Sequence, residues 1–282
     1  MTETEATPQP PAEQGARNLL MRVLAAVVLA PAAIAIVWFG GWLWALLVML
    51  AAIGLFLEWL MIVGLVREWR AAVPGVAALA VAGLCLIAGR LDAALIVLAV
   101  GLVAVALLSP ERRNWCAAGF LYAAAAEIAS VLVRQDPASG FAALFFVLLV
   151  VWAADIGGYF AGRGIGGPKL WPRVSPKKTW AGAIGGFVGS VLVAGAFAVA
   201  GAGKAGHLLA LGAFLSVISQ LGDLFESAVK RRFGVKDSSH IIPGHGGLMD
   251  RLDGFVAAVV AAAILGLLRG GADGVGRGLM VW

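Results

Sequence analysis

Residues 223–253 read DLFESAVKRRFGVKDSSHIIPGHGGLMDRLD and set carboxylates, basic side chains, two histidines and a Gly-rich turn into a chain otherwise dominated by Ala, Val, Leu and Gly. Charge beside lipid is costly, so a polar cluster embedded between apolar runs points to function. Asp223, Glu226 and Lys230 fall at i, i+3 and i+7 on one helix face, and Asp250 and Asp253 at i, i+3 share another. Carboxylates from different helices supply the hard oxygen ligands that Mg²⁺ takes, alongside waters and substrate phosphates. A second polar stretch, WAADIGGYFAGRGIGGPKLWPRVSPKKTWAG, carries Asp155 and then five basic residues with no further acid. Those Lys and Arg side chains would neutralise phosphate oxygens. Gly-rich turns at 164–167 and 244–247 let backbone N–H groups approach an anion, and a helix starting near 251 adds a favourable dipole. These are the parts used in phosphoryl and nucleotidyl transfer, where catalysis is mainly positioning and charge stabilisation.

The elements that must position these groups are membrane helices. The 282-residue chain is 61% hydrophobic and only 13% charged, with mean hydropathy +0.95. A soluble domain is roughly half apolar and a quarter charged, so the composition implies an all-α, polytopic integral membrane protein. Runs of about 20 apolar residues give about nine transmembrane helices, at 19–38, 42–66, 71–89, 91–109, 115–133, 139–158, 180–202, 207–227 and 251–268. Only Arg90 and Asp92 separate the third from the fourth. Pro74, Pro110, Pro137, Pro168, Pro172, Pro176 and Pro243 are expected at or between span ends. The organisation that follows is a disordered cytoplasmic tail over 1–18, N-terminal transmembrane helices over 19–150, a catalytic transmembrane region over 151–270 and a C-terminal tail over 271–282. The apolar run after the tail resembles a signal peptide, but the long acidic preface and the spans that follow favour an uncleaved first span. Cys85 and Cys116 lie far apart near or within apolar segments and have neither disulfide nor zinc spacing.

Lys and Arg then orient the chain. With nine spans, 16 of the 21 basic residues fall on the side of the N-terminus, leaving Arg90, Arg134, Lys204, Arg269 and Arg277 on the other. The N-terminus and both polar stretches are therefore expected at the cytoplasmic face of a cell inner (plasma) membrane. Arg67, Arg70, Arg112 and Arg113 are explained as topology determinants contacting anionic lipid. Asp155, Asp223 and Asp250 have a second reading as ion-pair partners of nearby basic residues, and His245 one as a backbone-bonded turn residue. His240 and His207 read as ordinary. Glu58, near the cytoplasmic end of the second span, either supports the site or makes a helix-packing hydrogen bond. Glu127 has no assigned role. The Trp residues sit mostly near span ends, as interfacial anchors do.

On these residues the sequence resembles the phosphatidate cytidylyltransferase, or CDP-diacylglycerol synthase, family. The family signature is matched in order and spacing by Ser227, Lys230-Arg231, Lys236-Asp237, His245-Gly246-Gly247 and Asp250-Arg251-Leu252-Asp253. An upstream motif is matched by Asp155, Gly158-Tyr159 and Gly162-Arg163, then by 170–172 and Ser175-Pro176-Lys177-Lys178-Thr179. One departure is Ala181, where the family commonly has Glu. The likeness is specific over 155–254 and general, by hydrophobic layout, over 19–150.

The resemblance implies an all-helical membrane enzyme, often a dimer, that uses Mg²⁺ to make CDP-diacylglycerol and pyrophosphate from CTP and inner-leaflet phosphatidate. A monovalent cation is left open, and no nucleic-acid partner is expected. Asp223 and Asp250 are the expected main metal ligands, with Asp253 and Asp155 next. Lys230, His245 and Arg251 join Asp223 and Asp250 as catalytic candidates. Ser175, Lys177, Lys178, Ser227, Arg231, Lys236, Asp237, Gly246 and Gly247 are expected to bind substrate. Two other functions use related parts. A CTP-dependent polyprenol-type lipid kinase would need a base for its hydroxyl acceptor. A transporter would place its charges near the bilayer midplane, whereas here they gather at one face.

Overall fold

The computed structural model describes residues 31–66, 68–239 and 246–282. Residues 31–39 form the described part of α1, followed by α2 (Gly41–Ile62), α3 (Trp69–Ile87), α4 (Leu91–Leu108), α5 (Arg113–Gln135) and α6 (Gly140–Gly164). A short hairpin of β1 (Lys169–Trp171) and β2 (Ser175–Thr179) leads into α7 (Trp180–Val199), α8 (Ala205–Arg232), α9 (Met249–Gly270) and α10 (Val275–Met280). The eight helices α2 to α9 are long and apolar enough to cross a membrane. The chain is an all-α polytopic membrane protein. The expected first span, 19–38, begins outside the described residues; the other eight expected spans match α2 to α9 in order.

Where helix ends differ from the apolar runs, the cause is local. Helix α6 continues to Gly164, so Asp155 sits within the helix rather than at its end. Helix α8 continues through Lys230, Arg231 and Arg232 before Gly234 turns the chain at φ 71°. Hydropathy falls where charges begin, but charges do not interrupt the backbone N–H to C=O ladder, which glycine at positive φ does. Pro74 lies inside α3 and not between spans. The break between α3 and α4 falls at Gly89, φ 72°, beside an Arg90–Asp92 ion pair of 2.9 Å.

The core gathers around α2, α5 and α9. Phe56 and Phe120 meet edge to face at 5.7 Å, Trp59 Nε1 donates to the Trp115 carbonyl at 2.8 Å, and Trp44 Nε1 to that of Ser130 at 2.9 Å. Beyond α9, α10 returns to this core with Val275 and Leu279 fully buried. It is tied there by Asp136, between α5 and α6, which accepts from the Arg277 N–H at 2.8 Å and from those of Ala138 and Ser139. Burial works to raise the Asp136 carboxyl, and those three N–H donors overcome it and hold the group below the usual carboxylate range.

Helices α6 and α7 pack backbone to backbone. A Cβ on Gly186 would stand 2.5 Å from the Ala154 carbonyl oxygen, and one on Gly189 2.8 Å from that of Ala153. Small residues permit this approach, and close packing rather than hydrophobic drive joins helices in lipid. Thr179 then starts α7, its Oγ1 accepting from the Gly182 N–H at 3.1 Å. We expect Gly186→Ala to force the pair apart and lower the melting temperature in detergent by about 2–4 °C for each kcal/mol lost. Gly195→Ala, whose Cβ would meet only Leu209 Cδ2 at 3.9 Å, should be neutral or stabilising because alanine is the better helix former.

Candidate active site

Between α6, the hairpin, α7 and α8 lies a cavity of about 490 Å³. Helix α6 contributes Asp155, Tyr159 and Arg163, the hairpin Lys177 and Lys178, and α8 Gln220 and Asp223. The α6 glycines 158 and 162 and the α7 glycine 182 also line it, leaving backbone exposed between those side chains. Across it, Lys178 Nζ pairs with Asp223 Oδ2. Arg163 is steadied on α6 itself, donating to Tyr159 Oη at 3.0 Å. The cavity is thus lined by the basic Arg163, Lys177 and Lys178 together with the acidic Asp155 and Asp223, a set that can receive a polyanion together with a cation.

One turn beyond Asp223, three carboxylates converge: oxygens of Asp223, Glu226 and Asp253 lie within 4.8 Å of one another. Glu226 Oε1 is buried and has no hydrogen-bond partner among the described residues. A hard-oxygen donor set with an unsatisfied buried oxygen fits Mg²⁺.

Behind this set, the Lys230 ammonium binds Glu226 Oε2 at 2.7 Å and Asp250 Oδ1 at 2.5 Å, so α8 and α9 are joined through a buried lysine. Asp250 Oδ2 also accepts from the Gly247 N–H at 2.9 Å and the Ser238 N–H at 3.1 Å, and Ser238 Oγ lies 3.1 Å from it. The glycines before α9 make room for this. Gly246 has φ 84°, and a Cβ on Gly247 would stand 2.6 Å from Glu58 Oε2.

The profile of the Cytidylyltransferase family matches residues 20–268. The chain belongs to this family. It is similar to a phosphatidate cytidylyltransferase from Brucella suis, 40% identical over 257 residues, covering 89% of this chain and 94% of that protein. Proteins of the same name from Haemophilus influenzae and Bacillus subtilis are 46% and 44% identical over 131 and 126 residues. Each of those matches covers 44% of this chain, and 46% and 47% of the relative respectively.

The chain brings together many of the residues singled out by sequence. Asp155, Lys177, Lys178 and Asp223 line the cavity; Asp253 joins Asp223; and Lys230, Asp250 and Gly247 form the linked group behind, with Gly246 beside it. Arg251 stands on the first turn of α9 between Asp250 and Asp253. Other candidates stand elsewhere. Ser175, Ser227, Arg231, Lys236 and Asp237 are not among the cavity-lining residues, and Arg231 donates to its own helix end at the Val235 carbonyl, 3.1 Å. His245 and His240 lie outside the described residues. Position 181 carries no carboxylate, and Ala181 stands in the first turn of α7.

Sequence reasoning saw Glu226 on the right helix face but did not assign it to the metal set, and it passed over Gln220 and Ser238. Helix periodicity placed Glu226 beside Asp223. Only the contact with α9 places it with Asp253.

Lys230 holds two carboxylates in a site shielded from water, and breaking a buried pair leaves uncompensated charge worth about 3–5 kcal/mol. Lys230→Met should therefore lower thermal stability strongly and abolish activity. Lys230→Arg, which keeps the charge, should recover much of the stability; melting curves of the purified variants check both.

Proposed function

We propose that the chain transfers CMP from CTP to phosphatidate, giving CDP-diacylglycerol and pyrophosphate; its relatives carry the name phosphatidate cytidylyltransferase. The observation that carries this reading is one cavity lined by the basic Arg163, Lys177 and Lys178 and the acidic Asp155 and Asp223, in a chain whose family match runs through nearly all its spans. A phosphatidate phosphate oxygen forms a bond to the α-phosphorus of CTP, the bond from that phosphorus to the β-phosphate bridging oxygen breaks, and pyrophosphate leaves with that oxygen. The nucleophile is already anionic near neutral pH, so no general base is needed, and the obstacle is the approach of two polyanions.

Lys177, Lys178 and Arg163 would neutralise phosphate oxygens from the hairpin side. Asp223, Glu226 and Asp253 would hold Mg²⁺, with Asp250 and Asp155 flanking them. When bound, Mg²⁺ supplies charge stabilisation to attacking and leaving oxygens. Lys230 keeps Glu226 and Asp250 in place. The sorting of basic residues supports a site facing the cytoplasm from the inner (plasma) membrane, where CTP and inner-leaflet phosphatidate meet. The expectation of a homodimer rests on the resemblance alone.

The deciding experiment is incorporation of labelled CTP into lipid by purified protein given phosphatidate and Mg²⁺. Labelled CDP-diacylglycerol is expected from the wild type and lost on chelation with EDTA, then restored by Mg²⁺. Asp223→Asn and Lys178→Met should each lower the rate about 10²–10³-fold, the usual cost of one well-placed electrostatic group. No product from phosphatidate, with the label of γ-phosphate-labelled CTP appearing instead on a polyprenol-type alcohol, would overturn the reading in favour of a lipid kinase.

A further inference from the structure

We propose that Glu58, on α2 and far in sequence from both polar stretches, is a positioning residue for the first turn of α9 and through it for Asp250. Glu58 is fully buried. Its carboxylate accepts four hydrogen bonds: Ser239 Oγ at 2.6 Å and the Leu248 N–H at 2.8 Å on Oε1, Ser238 Oγ at 2.8 Å and the Met249 N–H at 2.7 Å on Oε2. Four donors fill the acceptor capacity of a carboxylate.

Two of those donors are the unpaired N–H groups at the start of α9, whose N-cap, Leu248, has no side-chain cap of its own. Glu58 supplies that cap from another helix, and its charge lies at the favourable end of the α9 dipole. The other two are the hydroxyls of the segment that leads from α8 toward α9. Ser238 is shared: its Oγ touches Glu58, while both its N–H and its Oγ touch Asp250. A hydroxyl has one proton, and the shorter contact, 2.8 Å against 3.1 Å, assigns it to Glu58. The Ser238 backbone N–H is then directed at Asp250, closer to Oδ2 at 3.1 Å than to Oδ1 at 3.4 Å, while Oδ1 takes the Lys230 ammonium. None of the four donors to Glu58 is among the residues that line the cavity, so its action on the site runs through Ser238 and the α9 turn.

An amide cannot replace this carboxylate, because its NH₂ would face N–H or O–H donors. Aspartate cannot either, being shorter by about 1.5 Å. Two readouts test the idea in the full-length protein in detergent, and the kinetic one rests on the cytidylyltransferase reaction proposed above. Without any ligand, Glu58→Gln should raise amide hydrogen exchange across 247–250 by about tenfold or more, as expected for lost hydrogen bonds at a local opening. With substrates, it should lower kcat about 10–100-fold while KM for CTP and phosphatidate stays within about threefold, as for misplacement of the reacting geometry. Unchanged exchange across 247–250 overturns the proposal whatever the activity. So does faster exchange with unchanged kcat, which would make Glu58 a stability residue alone. If Glu58→Gln yields no folded protein, Ser239→Ala, which removes one of the four bonds, is judged by the same two readouts. A wild type inactive toward phosphatidate would remove the reaction reading and leave the exchange test standing.

Discussion

The structure depends on neutralising charge where water is scarce. Glu226, Lys230 and Asp250 meet at the junction of two membrane helices with side-chain exposures of 1%, 10% and 13%. None of them could be held there singly, because an unpaired buried charge costs several kcal/mol. Lys230 resolves this by serving both carboxylates, and in doing so fixes how the end of α8 meets the start of α9. Asp223 and Asp253, on those same two helices, acquire their separation as a consequence. The acidic cluster is thus a property of a helix junction and not of a loop.

The spans themselves were legible, because runs of about 20 apolar residues admit few other structures. The motif residues were legible too, as Asp155, Lys178 and Asp223 line one cavity although up to 68 positions separate them. What the sequence could not supply was partnership. Periodicity shows that Asp223, Glu226 and Lys230 share a face, but only the packing of α9 decides that Glu226 sits with Asp253 while Asp250 turns to Lys230. Glu58 shows the same limit, since its donors lie 180 to 191 residues away. The signal for it was present, a single carboxylate inside an apolar span, yet nothing in the chain names its partners. The hairpin was illegible for another reason. Its strands are three and five residues long and β2 contains Pro176, so no alternation of apolar residues marks them.

The cavity owes its shape to an asymmetry between helix contacts. On one side α6 and α7 touch through glycine, with Gly157, Gly185 and Gly186 so close that no Cβ fits without movement. On the other side α8 presents Gln220 and Asp223, and Gln220 Nε2 reaches across to the Ala183 carbonyl at 3.3 Å. The glycine-faced stretch of α6 and α7 set against the α8 side chains leaves a gap. The hairpin closes one end of that gap with lysines because Thr179 both ends β2 and starts α7, so Lys177 and Lys178 cannot move independently of α7.

Charge within this assembly then constrains how a polyanion is received. Asp155, Asp223, Glu226, Asp250 and Asp253 gather at the junction, and among the described residues two lysines, Lys178 and Lys230, form salt bridges with them. Lys230 is committed to holding the helices together, whereas Lys178 pairs with Asp223 at the edge of the cavity and is about as exposed as its partner, at 28% and 32%. On the proposed reading the two lysines therefore differ in kind. Asp223 would help hold a divalent cation, and Lys178 would then be able to turn to phosphate oxygens. Lys230 has no such freedom, since moving it would strand two buried carboxylates. This difference follows from burial alone, and it separates a lysine that maintains the architecture from one that can follow the substrate.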